Sequence, residues 1–200
     1  YVAPEGKPED YRGYPLFEDE QRLQKIYDAI VNNGLQVLTH TNGDQACEQY
    51  LRCYEYALEK NKSKIEKIKN KTDENQSRID KNNNKINRNR KDKNSKDIKI
   101  GQDLRPVMIH AQTVREDQLN RMKKIGMIPS FFQLHTFFWG DWHLDSVLGP
   151  DRAERISPTA STVRRNMPFT VHCDNPILPP NAPYMLWALV NRKTRSGRTI

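Results

Sequence analysis

Three short stretches determine the topology of this chain: Leu35-Gln-Val-Leu-Thr-His40, Pro106-Val-Met-Ile-His110 and Phe169-Thr-Val-His-Cys-Asp174. Each is an apolar run with the composition of a buried strand, and each is followed by a turn and a helical pattern. Strands that alternate with helices lie parallel in one sheet. Because the carboxyl ends of parallel strands meet at one edge, the polar residues that end these runs are expected to converge there.

The sequence around these runs repeats the same alternation. Apolar residues at helical spacing over 18–33 end at Asn33-Gly34, a pair typical of a helix C-terminus. The other predicted elements are strands over 35–39, 106–109, 127–132 and 168–173, helices over 45–58, 115–125, 151–166 (interrupted at Pro158) and 184–192, and a loop over 133–149. The order is a helix followed by four strand–helix units, which predicts an α/β fold with a parallel sheet.

His40, His110 and Asp174 end the three runs and form a plausible ligand set for a catalytic divalent metal. Taken singly, each has a plainer explanation: a strand-end histidine is commonly a hydrogen-bonded structural residue, and Asp174 before Asn175-Pro176 suits a turn or a helix cap. Their recurrence at successive strand ends favours the metal site. His172 lies two residues before Asp174, hence on the same face, where it either orients the carboxylate or is a satisfied core histidine.

The basic charge of the chain lies in one segment. Residues 59–100 contain 15 Lys and Arg against 7 Asp and Glu, which accounts for the whole net charge of +8. They contain no aromatic residue, whereas a nucleic-acid groove needs basic residues interleaved with aromatic ones, so nucleic-acid binding is not expected. We predict a largely disordered, solvated insertion with transient helix, between two folded segments, 1–58 and 101–200. A salt-sensitive tether to nucleic acid or an acidic partner is the alternative.

The cysteines and the N-terminal residues are informative about the cellular location of the protein. Cys47, Cys53 and Cys173 form no CxxC pair and are interpreted as reduced thiols of a cytoplasmic protein. No apolar run approaches the roughly 18–20 residues that span a bilayer, so no membrane association is expected. The first residues carry neither an initiator methionine nor a signal-peptide pattern. We therefore expect the chain to begin within a longer protein.

Several longer motifs resemble the metal-dependent amidohydrolase superfamily, and more narrowly its third family, which includes the N-substituted formamide deformylases. The similarity covers nearly everything outside 59–100. It rests on Arg105-Pro-Val-Met-Ile-His-Ala-Gln-Thr-Val-Arg-Glu-Asp-Gln-Leu119, Ile128-Pro-Ser-Phe-Phe132, His135-Thr-Phe-Phe-Trp-Gly-Asp-Trp-His143, Leu148-Gly-Pro-Asp-Arg-Ala-Glu-Arg-Ile-Ser-Pro158, residues 187–197 and His40-Thr-Asn-Gly-Asp44.

The resemblance implies the C-terminal half, strands five to eight, of a (β/α)8 barrel with one or two divalent metal ions, zinc being the expected one. It implies that His40 and His110 are metal ligands, and that Asp174 is a metal-associated carboxylate and the general base. Asp44 and His172 would lie around these ligands and help to orient them. The implied reaction is hydrolysis of a small amide or formamide by metal-activated water.

The resemblance also places four residues of the 133–149 loop near the substrate. His135 is the stronger candidate, while aromatic packing and ordinary loop hydrogen bonding are equally open for the other three, Trp139, Asp141 and His143.

The chain departs from the family pattern because a His-x-His motif on the first strand and a bridging Lys or Glu near the fourth are both missing. Four strands cannot close an eight-stranded barrel. The missing N-terminal half, in the same or a separate chain, is therefore an expected partner, and homo-oligomerisation is also open. The alternative function is that of a catalytically inactive fragment or pseudoenzyme that acts as an interaction partner.

Overall fold

The computed structural model describes residues 16–67 and 104–200. Its strands are β1 (Leu38–Thr41), β2 (Val107–His110), β3 (Ile128–Phe131) and β4 (Thr170–Val171). Its helices are α1 (Glu20–Asn32), α2 (Asp44–Lys60), α3 (Glu116–Ile125), α4 (His135–Trp142), α5 (Pro150–Ala153), α6 (Thr159–Arg164) and α7 (Ala182–Asn191), with a π-helical turn over His143–Val147.

The four strands form one sheet in the order β1-β2-β3-β4, and every neighbouring pair is parallel. The predicted α/β alternation is therefore confirmed. In the register, His40 is paired with Ile109 and Ser130 with Thr170. This staggered pairing brings the ends of β1, β2 and β4 to the same edge.

One face of the sheet is covered by helices. Val37, Met108 and Phe131 point to that face and join a buried core with residues of α1, α2 and α3. Tyr27 of α1 adds a hydrogen bond of 2.9 Å between its hydroxyl and Thr39 Oγ1. Because side chains alternate along a strand, His40, Ser130 and their neighbours on the other strands lie on the opposite face.

The helix ends follow from local chemistry. Asp19 caps α1 by accepting hydrogen bonds from the backbone N–H groups of Gln21 and Arg22. Gly34 and Gly126 adopt φ values of +65° and +70° just beyond α1 and α3, as expected for left-handed residues that end a helix. The predicted helix end at Asn33-Gly34 is confirmed, and so is the predicted end of the 115–125 helix at residue 125.

The predicted loop over 133–149 is wrong, because this segment forms α4 and the π-helical turn. The sequence of α4 is aromatic on several sides and contains Gly140, so it shows no one-faced apolar pattern. The structure gives the reason: Phe137 packs on Trp187 of α7, while Gly140 lies so close to the C-terminal segment that an added Cβ would be 2.7 Å from Thr194 Cγ2. A helix with contacts on several sides loses the periodicity by which it would be predicted.

The sheet is open at both edges. β1 and β4 each pair with one neighbour within the described part of the chain. Leu35 and Leu38, beside and within β1, are 56% and 58% exposed. An apolar edge of this kind suits pairing with further structure rather than contact with water.

Some predictions fall outside the described residues. The N-terminal segment is described only from residue 16, and the insertion only to residue 67, where 59–60 belong to α2 and 62–67 are also helical. The rest of the insertion, 68–100, lies outside the described residues. In the described ranges, no helix combines the length and the apolar character needed to cross a membrane.

Candidate metal centre at the carboxyl edge of the sheet

His110, His172 and Asp174 form a compact cluster at the carboxyl ends of β2 and β4. One ligand atom from each lies within 4.8 Å of the others. His110 Nδ1 is 3.3 Å from His172 Nε2, and His110 Nε2 is 3.8 Å from Asp174 Oδ2. Two imidazoles and one carboxylate at such distances form a donor set that suits a divalent metal.

The backbone at this edge leaves the strand conformation. Met108 belongs to the helix-side core, and strict alternation would aim His110 to the same side. Instead His110 and Ala111 have φ values of +65° and +46°, and Asp174 has +57°. Left-handed backbone costs a non-glycine residue about 1–2 kcal/mol, and such strain clusters at functional sites. Its occurrence at two members of the cluster therefore favours a functional role.

Further rings surround His110, which is 1% exposed. Its ring centroid is 4.4 Å from that of His40, 5.6 Å from that of His135 and 6.0 Å from that of Phe132. The His135 ring is in turn 4.4 Å from Phe132, and its Nδ1 is buried with no hydrogen-bond partner among the described residues. The site is thus a histidine cluster with an aromatic wall.

Burial favours the neutral imidazoles of His110, His135 and His172. Desolvation lowers the pKa of His110 to about 4, with the neighbouring His40 adding to the effect and Asp174 opposing it. Desolvation also lowers the pKa of His135, to about 3, and that of His172. A neutral imidazole has a free lone pair on one nitrogen, which is the form that binds a metal.

These shifts predict an acid-sensitive fold. The folded-state pKa of His110, about 4, lies below the ordinary value near 6.5, so between these values the unfolded chain binds more protons. The free energy of unfolding should therefore fall as the pH drops from 6.5 towards 4. Urea titrations in the presence of a chelator at pH 7.5, 5.5 and 4.5 would measure this. A replacement of His110 by Asn should reduce the slope, and an identical slope would contradict the assignment.

The distances also allow a simple test of fit for a metal. Ligand atoms held at about 2.0–2.1 Å by a tetrahedral ion lie roughly 3.4 Å apart. The 3.3 Å between His110 Nδ1 and His172 Nε2 agrees with that edge length. Asp174 offers a carboxylate in the same cluster, and its side chain is 36% exposed, which leaves room for an open position. The residues present therefore fit a divalent metal.

The predicted ligand His40 is close to the cluster but not within it. It is exposed on the edge strand β1, with its ring against that of His110. Asp44 lies at the start of α2, where its carboxylate is 3.9 Å from Arg152 Nη1. His172, predicted from sequence to support the carboxylate, is the residue that the structure groups with His110 and Asp174.

The four predicted substrate residues separate into two pairs. His135 and Trp139 lie beside Phe132 in the aromatic wall. The other pair is held by hydrogen bonds: His143 Nδ1 donates to Trp139 O at 2.7 Å and its Nε2 lies 3.0 Å from Gln112 Nε2, while Asp141 accepts from Ser196 and Arg198.

Two polar residues near the cluster escaped the sequence analysis. Ser130 Oγ lies 3.0 Å from His172 Nδ1, and Gln112 makes the bond to His143. Ser130 could have been assigned from the alternation of side chains along a strand. Its neighbour Phe131 points to the helix-covered face, so Ser130 lies on the opposite face. Gln112 gave no signal, because it lies beyond the end of β2, after the left-handed residues His110 and Ala111.

Comparisons with known proteins concern the family and the fold of the chain. Residues 84–200 match the sequence profile described as "Amidohydrolase family". An uncharacterized metal-dependent hydrolase from Pyrococcus furiosus has a similar structure, with a TM-score of 0.59 and 19% identity over 90% of this chain and 28% of its own. A second, from Pyrococcus horikoshii OT3, has a TM-score of 0.58 and 19% identity over 92% of this chain and 28% of its own.

The chain thus spans about 28% of the length of the two solved structures that it resembles. No match was found among proteins with curated descriptions. The family match covers more than half of the chain and contains His110, His172 and Asp174. This chain therefore belongs to the amidohydrolase family.

Proposed function

We propose that this chain is part of a metal-dependent hydrolase that cleaves the C–N bond of a small, non-peptide amide or formamide. The observation that carries the proposal is the cluster of His110, His172 and Asp174 at the carboxyl edge of a parallel sheet. A bound divalent ion, for which we propose zinc, would supply hydroxide at neutral pH by lowering the pKa of its water. His110 and Asp174 would hold it together with His172, His40 or both.

Asp174 is the proposed proton acceptor. Its carboxylate lies at the cluster and remains partly exposed, so both water and substrate can reach it. A carboxylate in this position can take the proton of the attacking water and return it to the leaving amine nitrogen. The buried neighbours His110 and His172 are less suited to that role, because desolvation disfavours their protonated forms.

His135 and Trp139 are proposed to contact the substrate. The His135 ring lies 5.6 Å from that of His110, and its buried Nδ1 has no partner among the described residues. An unpaired polar atom in such a place costs free energy, which a hydrogen bond from or to a substrate would recover. Trp139 packs against both His135 and Phe132 and would provide apolar contact. We keep Asp141 and His143 only as weaker candidates, since both already have strong partners.

The proposal requires more structure than these four strands provide. An eight-stranded barrel has no free edges, whereas β1 and β4 are unpaired on one side within the described residues. The open edges also support a second candidate function, in which the chain is an inactive fragment or pseudoenzyme that binds another protein through them. The two candidates differ in the length of the natural polypeptide and in its metal content.

One experiment separates them. An antibody against residues 105–200 would capture the native polypeptide for measurement of its mass and of its zinc, manganese and iron content. The enzyme proposal expects a mass well above 23.4 kDa and about one or two metal ions per chain. The purified protein should then hydrolyse members of a panel of formamides and N-substituted amides. A metal-free polypeptide near 23.4 kDa would support the second candidate.

A further inference from the structure

The Ser130 side chain is built into the histidine cluster from the neighbouring strand. Ser130 pairs in register with Thr170, so its side chain lies on the face of the sheet that also carries His172. It is 9% exposed, and its Oγ lies 3.0 Å from His172 Nδ1. The other nitrogen of the same ring, Nε2, lies 3.3 Å from His110 Nδ1. His172 is thus held at both ring nitrogens.

In the metal-free cluster, the contacts favour one arrangement of protons. Asp174 Oδ2, 3.8 Å away, favours a proton on His110 Nε2, which leaves His110 Nδ1 as an acceptor. His172 Nε2 can then donate to His110 Nδ1. Because a neutral imidazole carries one proton, His172 Nδ1 has a lone pair and accepts from the Ser130 hydroxyl.

The arrangement must reverse when both nitrogens bind a cation. His110 Nδ1 and His172 Nε2 then both need free lone pairs, so the His172 proton has to be on Nδ1. A metal-bound histidine normally donates its other N–H to an acceptor, which fixes its tautomer and orientation. A serine hydroxyl both donates and accepts, so Ser130 can serve as the partner in either state by rotating its hydrogen.

From this we infer that Ser130 is a positioning residue that donates to His172 in the metal-free protein and accepts from it when His110 and His172 hold a divalent cation. The inference rests on the proposed function of this cluster. His172 releases its Nε2 proton to solvent and takes one from solvent at Nδ1, so its charge does not change. The hydroxyl of Ser130 keeps its own proton throughout.

The first test observes the tautomer directly. Nitrogen NMR of the isotope-labelled 200-residue chain would be recorded with chelator and then with added Zn²⁺, with the His172 signals assigned by loss in His172→Gln. We expect the proton on Nε2 without metal and on Nδ1 with metal. A His172 that keeps the same tautomer in both states would overturn the inference.

The second test measures metal affinity. Competition of the chain with a chromophoric chelator for Zn²⁺ should show about 10–100-fold weaker binding for Ser130→Ala, the range seen when such a partner is lost. Ser130→Thr, which keeps the hydroxyl and suits a strand, should restore most of the affinity. Ser161→Ala is the matched control, because its buried hydroxyl hydrogen-bonds Glu116 instead, at 2.6 Å.

The outcomes distinguish this inference from the proposed function. Wild-type affinity in Ser130→Ala, with unchanged affinity in the control, overturns the role of Ser130 while leaving the metal site intact. Equal losses in Ser130→Ala and Ser161→Ala would show a general loss of stability and also overturn it. If the wild-type chain and the longer native polypeptide both fail to bind Zn²⁺, the metal site itself is refuted, and the accepting role of Ser130 with it.

Discussion

Replacement of Asp174 by asparagine should abolish most turnover while leaving the fold intact. The change removes the proposed proton acceptor but keeps the shape of the side chain, and loss of general-base catalysis typically costs about 10²–10⁴-fold in kcat. The backbone should tolerate it, because asparagine adopts the left-handed conformation as readily as aspartate does at the observed φ of +57°. The variant should also keep the backbone hydrogen bond of 2.7 Å that Ile177 N donates to Asp174 O.

The measurement is kcat of the full-length native polypeptide on its best formamide or amide substrate, together with its metal content and circular dichroism. Asp28→Asn is the matched control. Asp28 belongs to α1, on the helix-covered side of the sheet, and hydrogen bonds from Lys60 and Asn61 keep the pKa of its carboxyl below the usual range. Its replacement should lower stability but preserve turnover. Normal kcat in Asp174→Asn would exclude Asp174 as the base.

The parallel sheet and the convergence of His110 and Asp174 could be predicted because both follow from simple repeating patterns. Apolar runs followed by residues at helical spacing predicted the four strands in their observed order along the chain. Because His110 and Asp174 end two of these runs, they were predicted to lie together at the carboxyl edge. The numbering of these strands as five to eight of a barrel, the narrower likeness to formamide deformylases, and the cytoplasmic location remain predictions.

What the sequence left out depends on contacts between distant residues. The left-handed backbone of His110 and Ala111 could not be predicted, because positive φ is uncommon even for histidine, the more tolerant of the two residues, and alanine does not favour it. The hydrogen bond between Ser130 and His172 requires the register of β3 against β4, which only the folded sheet defines. Similarly, α4 was not predicted from the sequence, because its aromatic side chains pack in several directions and show no one-faced apolar pattern.

Replacement of His110 should have the largest effect on metal content. His110 contacts both other members of the cluster, through different ring nitrogens, and its ring also packs against those of His40 and His135. Its loss should therefore remove most of the bound metal. The buried space it leaves should also lower the free energy of unfolding by at least about 2 kcal/mol. Elemental analysis and urea denaturation of His110→Ala would measure the two effects.

A second variant separates the ligand role from the backbone strain. His110→Gly removes the same imidazole but relieves the left-handed conformation, so it should be about 1 kcal/mol more stable than His110→Ala and equally poor in metal. Parallel analysis of His40→Ala and His172→Ala would show which further imidazole is a ligand, because only a ligand's loss should lower occupancy as steeply. Since His110 is central to every arrangement of these groups, full metal occupancy in either His110 variant would contradict the site as a whole.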